Sequence, residues 1–355
     1  MATCLVAGSD LDEYPNLKQR GNTSFWHTLM GVTLPLARAM LESGACACAA
    51  GACRCGCTRL VAPPVSPRML ERQLALLDGA NVSLAPPDTR VAVTLKRCDV
   101  MRPRSLPSMR VRASLRNDSA TYLGACLKEK PWLGVRQLVG ALHAIDFAAP
   151  HPAGGVGEEA LFIPRDECAC GEISLALARF HRKTCHPHKR VCLRSDSPKL
   201  AAVREGLHAR GWTTRVLAFD GQVSVVEQAR AIARASLVFS GHDSALANLV
   251  WARPGTAVLE FSPYRRRGNY DANADNSSQW VRKALRSGAI PVNYERSAFQ
   301  RLSHALHGVL HVSMYLSKET NTTLRCDDWG CLDAHRLVEL ALAARNDAAR
   351  LARDS

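Results

Sequence analysis

Several familiar signatures are missing from this chain, and each absence removes a class of function. No G-x-G-x-x-G follows a strand-like run, which removes the dinucleotide fingerprint, and no G-x-x-x-x-G-K-[ST] occurs, which removes the P-loop. Cysteine is abundant at 14 residues, yet no C-x-x-C appears, so zinc-ribbon spacing is missing and no metal site is expected. Aromatic residues amount to 6%, too few for a platform that stacks single-stranded bases. The most apolar early stretch, residues 25–41, carries His27 and Arg38 and contains Pro35, so no integral membrane segment is expected. Acidic residues are in deficit, 32 against 46 Lys plus Arg, and the net charge of +14 favours an anionic partner. That charge is spread along the chain rather than gathered in a tail, which argues against nucleic acid.

What is present reads as an α/β protein. A length of 355 residues points to two domains, and 47% hydrophobic with 22% charged residues is ordinary globular composition. Residues 1–20 read as a polar loop, including the D-x-D of Asp10 and Asp12. The run Cys46, Cys48, Cys53, Cys55 and Cys57 reads as a low-complexity surface loop, with soft-metal ligation as the alternative. The opening MATCLVAGSDLDEY shows no basic region followed by an apolar core, so the sequence favours a cytoplasmic chain. The cysteines and five N-x-S/T sequons, at Asn22, Asn81, Asn117, Asn276 and Asn321, favour the alternative, an ER or Golgi lumen.

Asn22 to His27 lead into an apolar helix through Met40, helical spacing is also found over 66–77, 133–145, 173–182, 280–286, 299–310 and 333–353, and strands are expected at 89–95 and 160–163. Residues 102–116 are Arg-rich and read as a solvated stretch. Residues 183–189 read as a linker. From 190 to 261 the signals alternate as β-α-β-α-β-α-β, the pattern of a doubly wound parallel sheet. Ser197 with Pro198 marks one helix start and Gly211 its end. Ser224 and Glu227 have capping-box spacing, and Leu237, Val238 and Phe239 form a non-alternating run expected of a strand buried on both faces. After Gly241, His242 and Asp243, a second helix is expected to open at Ser244, with its free N–H groups forming an anion site.

The run S-x-x-E-Q-A-R-x-I-A-R-A-S-L-V-F-S-G-H from Ser224, then A-L-x-N-L-V-W-x-x-P-G-T-A-V-L-E-F-x-P-Y to Tyr264, resembles the C-terminal half of glycosyltransferase family 61. Residues 22–36, with N-x-x-F-W-H-x-L and then L-P-L, resemble that family's N-terminal H-W-L segment. The family includes lumenal O-linked N-acetylglucosamine transferases and plant xylan xylosyl- and arabinosyltransferases. The resemblance implies a GT-B-like fold, in which two Rossmann-like domains with parallel sheets face across a cleft. It implies an inverting, metal-independent hexosyl- or pentosyltransferase that takes a nucleotide-sugar, a UDP-sugar by preference, and a glycan or protein acceptor. No cofactor is expected beyond that donor. The expected division is an acceptor-side domain at 1–182, the linker 183–189, a nucleotide-sugar domain at 190–330 and a C-terminal helix at 331–355.

Within that frame His27 is the candidate base that takes the acceptor proton, and His242 the donor of a hydrogen bond to the departing diphosphate. Arg194 is expected to pair bidentately with the diphosphate. Ser224, Glu227, Gln228, Gly241, Ser244, Asn248 and Glu260 complete the expected nucleotide-sugar set, although Ser224 and Glu227 are fully explained as a cap, and Glu260 alternatively partners Arg265–Arg267. The chain departs from the family in two places. Asp243, Ser244 and Ala245 stand where small residues, often Gly-Ala-Gly, are usual, and residues 28–33 contain no acid after His27. An acid beside a diphosphate is repulsive, by about 1 kcal/mol at contact even in high dielectric, unless Asp243 turns away to cap the helix at Leu246. These departures favour an alternative reading, an inactive nucleotide- or glycan-binding member of the fold. Charge alone favours a third, a nucleic-acid-binding protein.

Overall fold

The computed structural model describes residues 4–9, 25–49, 51–61, 67–86, 88–95, 131–152, 157–165, 193–219, 222–241, 243–262, 302–303, 306, 308–315 and 333–354. Outside them lie Asp10, Asp12, Asn22, His242, the Arg-rich 102–116, the linker 183–189 and the expected helices at 173–182 and 280–286. The chain forms two compact units, one of residues 1–147 with 224–230 and the other of 148–223 with 231–355. Both are mixed α/β with parallel sheets.

The first unit is built on β1 (Leu5–Ser9), β4 (Thr58–Val61), β5 (Val82–Ala85) and β6 (Val93–Leu95). They lie in the order β5-β4-β1-β6, all parallel, which is the order of a doubly wound sheet that reverses beside its first strand. The polar loop expected at 1–20 is therefore overturned at Leu5–Ser9, which form an interior strand of the sheet. At Gly8 a Cβ would sit 2.7 Å from Val91 Cγ2, so a larger residue there has to displace that side chain. The helix expected after His27 and through Met40 starts slightly earlier and appears as α1 (Phe25–Thr28), a π segment (Leu29–Thr33) and α2 (Leu34–Glu42). The interior residues of this run, Leu29, Met30, Val32, Leu34 and Leu36, are all buried. Helices α3 (Pro67–Leu74) and α4 (Pro131–His143) lie where helical spacing is read.

The cysteine run is also not a loop. Strands β2 (Cys46–Ala49) and β3 (Ala52–Cys55) form an antiparallel hairpin in which Cys46 faces Cys55 and Cys48 faces Cys53. Both facing pairs are disulfides, and a third bond joins Cys4 to Cys57. The period-two spacing C-x-C on each strand puts all four cysteines of the hairpin on one face, where opposite residues come close enough to bridge. Paired sulfurs leave no thiolate, so the metal alternative is overturned for these residues as well.

The second unit carries β7 (Glu159–Ile163), β8 (Thr213–Val216), β9 (Ala235–Gly241), β10 (Ala257–Ser262) and β11 (Leu310–Tyr315). Their order is β11-β10-β9-β7-β8, all parallel, so β7 separates β8 from β9. In chain order this is a 2-1-3-4-5 doubly wound sheet, with its switch point between β7 and β9. Strand β7, read in the sequence as part of the N-terminal half, thus belongs to the second sheet. Strand β11 begins at Leu310, where helical spacing was expected to end, and Gly308 at φ 73° turns the chain into it.

Helices α5 (Pro198–His208) and α7 (Ala334–Asp354) cover one face of this sheet over a core that includes Phe162, Phe239, Leu259, Phe261 and Leu337. Phe162 and Phe239 are register partners across β7 and β9, and their rings stack at 4.4 Å. Ser197 occupies the N-cap position of α5 but makes no side-chain cap bond. Helix α6 (Val225–Arg234) does start as the spacing requires, with the Glu227 N–H donating to Ser224 Oγ at 3.1 Å. Among the described residues no helix is long and apolar enough to cross a membrane.

At the amino-terminal edge of the sheet a buried polar cluster fastens α7. Arg345, 2% exposed, donates to both Glu158 oxygens, at 2.7 and 3.2 Å, and to the Pro152 carbonyl. Ser236 Oγ donates to the same carboxylate at 2.9 Å. Breaking a buried pair by removing one partner typically costs about 3–5 kcal/mol, because the remaining charge stays buried. Arg345→Met is expected to lose that much in denaturant unfolding, and Arg345→Met combined with Glu158→Gln to recover part of it. His151 lies in the same cluster, where burial and then Arg253 and Arg345 push its imidazole down from 6.5 to about 3. The unfolded chain therefore binds a proton below pH 6.5 that the folded chain refuses. Stability present above pH 6.5 should fall towards pH 3 by up to about 1.4 kcal/mol per unit from this group, and His151→Gln should flatten that slope in pH-dependent melts.

Candidate functional site

In a doubly wound sheet, loops diverge at the carboxyl ends of the two strands flanking the switch point, leaving a crevice for ligand. Here those ends are Ile163 of β7 and Gly241 of β9. Two residues past β7, Arg165 bridges to Leu193 in an antiparallel pair, its N–H donating to the Leu193 carbonyl at 2.7 Å. That bridge holds its backbone beside residues 193–194. Past β9, Asp243 stands in extended conformation at the start of a 3-10 helix, Ser244–Trp251.

The two ends meet through charge. Arg165 Nη1 pairs with Asp243 Oδ2, and Ser244 Oγ donates to Asp243 Oδ1 at 2.8 Å. The side chains of Arg165 and Asp243 keep 24% and 26% of their exposure, so a solute reaches both. Asp243 does not turn away to cap Leu246 with its side chain; the Leu246 N–H donates to the Asp243 carbonyl at 3.1 Å instead. The carboxylate is occupied by Arg165 and Ser244, which explains why it is not the cap. The helix expected at Ser244 is 3-10 rather than α. Its residues Leu246 to Trp251 are all buried, so packing rather than propensity sets its geometry.

The expected site residues divide sharply. Gly241 and Ser244 flank this loop, Gly241 buried opposite Phe261 in the β9–β10 register. Arg194 follows the bridge residue Leu193, half exposed, and donates bidentately to Asp196 at 2.7 and 2.5 Å. That arginine holds the Asp196 carboxyl below its ordinary range. Asn248 is fully buried and its amide donates to the Ala245 carbonyl at 3.2 Å, a bond within its own helix. Ser224, Glu227 and Gln228 fall in the segment grouped with the first unit. Ser224 caps α6, Glu227 pairs with Arg230 at 3.2 Å, and Gln228 is buried. Of His27 only the backbone, in α1, is described.

Glu260 is fully buried, two residues before the end of β10, and accepts from His311 Nε2 at 2.7 Å. The other imidazole nitrogen, Nδ1, lies 2.9 Å from Ser303 Oγ. A hydroxyl, imidazole and carboxylate in series are enclosed here, with the His311 side chain 3% exposed, so the series fastens β10 to β11.

Arg165 was not singled out in the sequence. Its signal was a basic residue directly beyond the apolar run 160–163, the place where parallel strands present ligand-binding groups. The chemistry of the arrangement is that of an anion seat whose arginine already holds an internal carboxylate. No family model matches the chain, and no curated protein is significantly similar to it. Neutralising the internal competitor tests the seat. Asp243→Asn is expected to tighten binding of inorganic pyrophosphate about fivefold by titration calorimetry, from roughly 1 kcal/mol of removed repulsion. Equal affinity in both forms would remove Asp243 from the seat.

Proposed function

We propose that this chain is an inverting glycosyltransferase of GT-B type, moving a sugar from a nucleotide-sugar, a UDP-sugar by preference, to a hydroxyl of a glycan or protein acceptor. The observation that carries the reading is the meeting of Arg165 with Asp243 and Ser244 at the switch point of the second sheet. The residues that resemble glycosyltransferase family 61 run through this loop, and a doubly wound sheet in each unit is what such an architecture requires of its halves. The facing of the two units across a cleft is part of the proposal.

In this reading the acceptor oxygen attacks the anomeric carbon while the bond from that carbon to the diphosphate breaks. Arg165 and the first N–H groups of the 3-10 helix meet the charge that develops on the leaving diphosphate. His242 adds a hydrogen bond there, and His27 takes the acceptor proton. Arg194 joins the diphosphate contacts by exchanging Asp196 for a phosphate oxygen. The Arg165–Asp243 pair favours a second reading, a member that binds nucleotide or glycan without turnover, because an incoming diphosphate has to displace a bound carboxylate.

A donor screen separates the two. Incubation with a panel of UDP-sugars and hydroxyl acceptors is expected to release UDP, and His242→Ala to abolish release in a protein that still melts cooperatively. Binding of UDP without release from any donor would leave the second reading. Arg165→Gln is expected to weaken UDP binding roughly 10- to 100-fold, the value of a charged hydrogen bond of about 1.5–3 kcal/mol. No thermal shift with UDP or any UDP-sugar would sink the transferase reading and the nucleotide-binding form of the second.

A further inference from the structure

Asn81 opens the sequon Asn81-Val82-Ser83 and sits at the entrance to β5, the edge strand of the first sheet. Both Asn81 and Ser83 are exposed. The asparagine takes a left-handed turn at φ 54°, a conformation Asn tolerates better than most residues, one residue before the strand begins. Its backbone carbonyl accepts from the Thr58 N–H at 3.2 Å, so the sequon is fastened beside Cys57, which is bonded to Cys4.

The second, independent observation is the set of three disulfides in the same unit, Cys4–Cys57, Cys46–Cys55 and Cys48–Cys53. Bonds of this kind form and persist where the medium is oxidising, and the secretory lumen that supplies such a medium is also where a surface sequon meets the oligosaccharide-transferring machinery. Two features that mean little apart thus select one environment together.

We infer that Asn81 is an N-glycosylation site and that the chain matures in an oxidising secretory compartment. The Asn81 amide nitrogen forms a bond to the anomeric carbon of a lipid-diphosphate-linked oligosaccharide. The bond from that carbon to the diphosphate oxygen breaks, one amide proton is given up, and the lipid diphosphate leaves. The glycan then stands at the start of an edge strand whose Leu84 is 51% exposed, where a bulky hydrophilic group discourages pairing with a second chain.

The test uses the full chain passed through the secretory pathway of a eukaryotic host behind a supplied leader. Tryptic peptides are treated with peptide-N-glycosidase in heavy-oxygen water and sequenced by mass spectrometry. The peptide containing Asn81 is expected to show conversion of Asn81 to labelled aspartate. Ser83→Ala should abolish it and Ser83→Thr should keep it. Ser83 is changed in preference to Asn81 because Asn81 holds the left-handed turn. Disulfide mapping of each variant confirms that the fold is retained: Cys4–Cys57 intact with Asn81 unmodified would overturn the site, and the same cysteines recovered as free thiols from the secreted protein would overturn the compartment.

Discussion

The second unit depends on the insertion of β7 between β8 and β9. A parallel strand buried on both faces has to contribute apolar side chains to each, and β7 does so with Ala160 and Phe162 on one side and Leu161 on the other. The stacked Phe162 and Phe239 hold β7 and β9 together in register. Because the chain leaves β7 in one direction and β9 in the other, the loops beyond them diverge, which is where sheets of this kind bind their ligands. The candidate site is a consequence of that topology.

The opposite edge of the same sheet is closed rather than open. Arg345 on the last helix reaches Glu158 just before β7 and shares it with Ser236 at the start of β9. One carboxylate therefore ties together the strands that flank the switch point and the helix that covers them. Burial and then two arginines push the His151 imidazole in this cluster down towards the neutral form. The sheet is braced by a buried ion pair at its amino end, and its carboxyl end carries a charge pair still reachable by solvent.

The first unit solves the same stability problem by different chemistry. Its sheet has four short strands, and three disulfides reinforce the segment that leads into β4. The bond from Cys4 to Cys57 ties the start of β1 to the start of β4, neighbours in the sheet but 53 residues apart in the chain. In a chain-entropy account a closure of that length is worth about 4 kcal/mol. A unit stapled in this way and a unit clamped by a buried ion pair place different demands on their surroundings: the first needs an oxidising medium, the second only water excluded from one carboxylate.

How much was legible in the residues follows the range of the signals. Capping at Ser224, the Pro198 start of α5, the buried run 237–239 and the periodicity of α7 act within a turn or two, so residue order alone determines them. Strand β1 is five residues long and β11 six, neither with a local mark that separates it from a loop or a helix end, and only pairing with neighbours makes them strands. The cysteine run could not be read as a hairpin from composition, since disulfide partners are chosen by which strand faces which. Asp243 was visible as the residue most at odds with an anion loop, while its partner Arg165 lies 78 positions earlier in the chain. No periodicity connects two such residues. They meet because the fold brings the ends of β7 and β9 side by side, and that adjacency exists only once the sheet has formed.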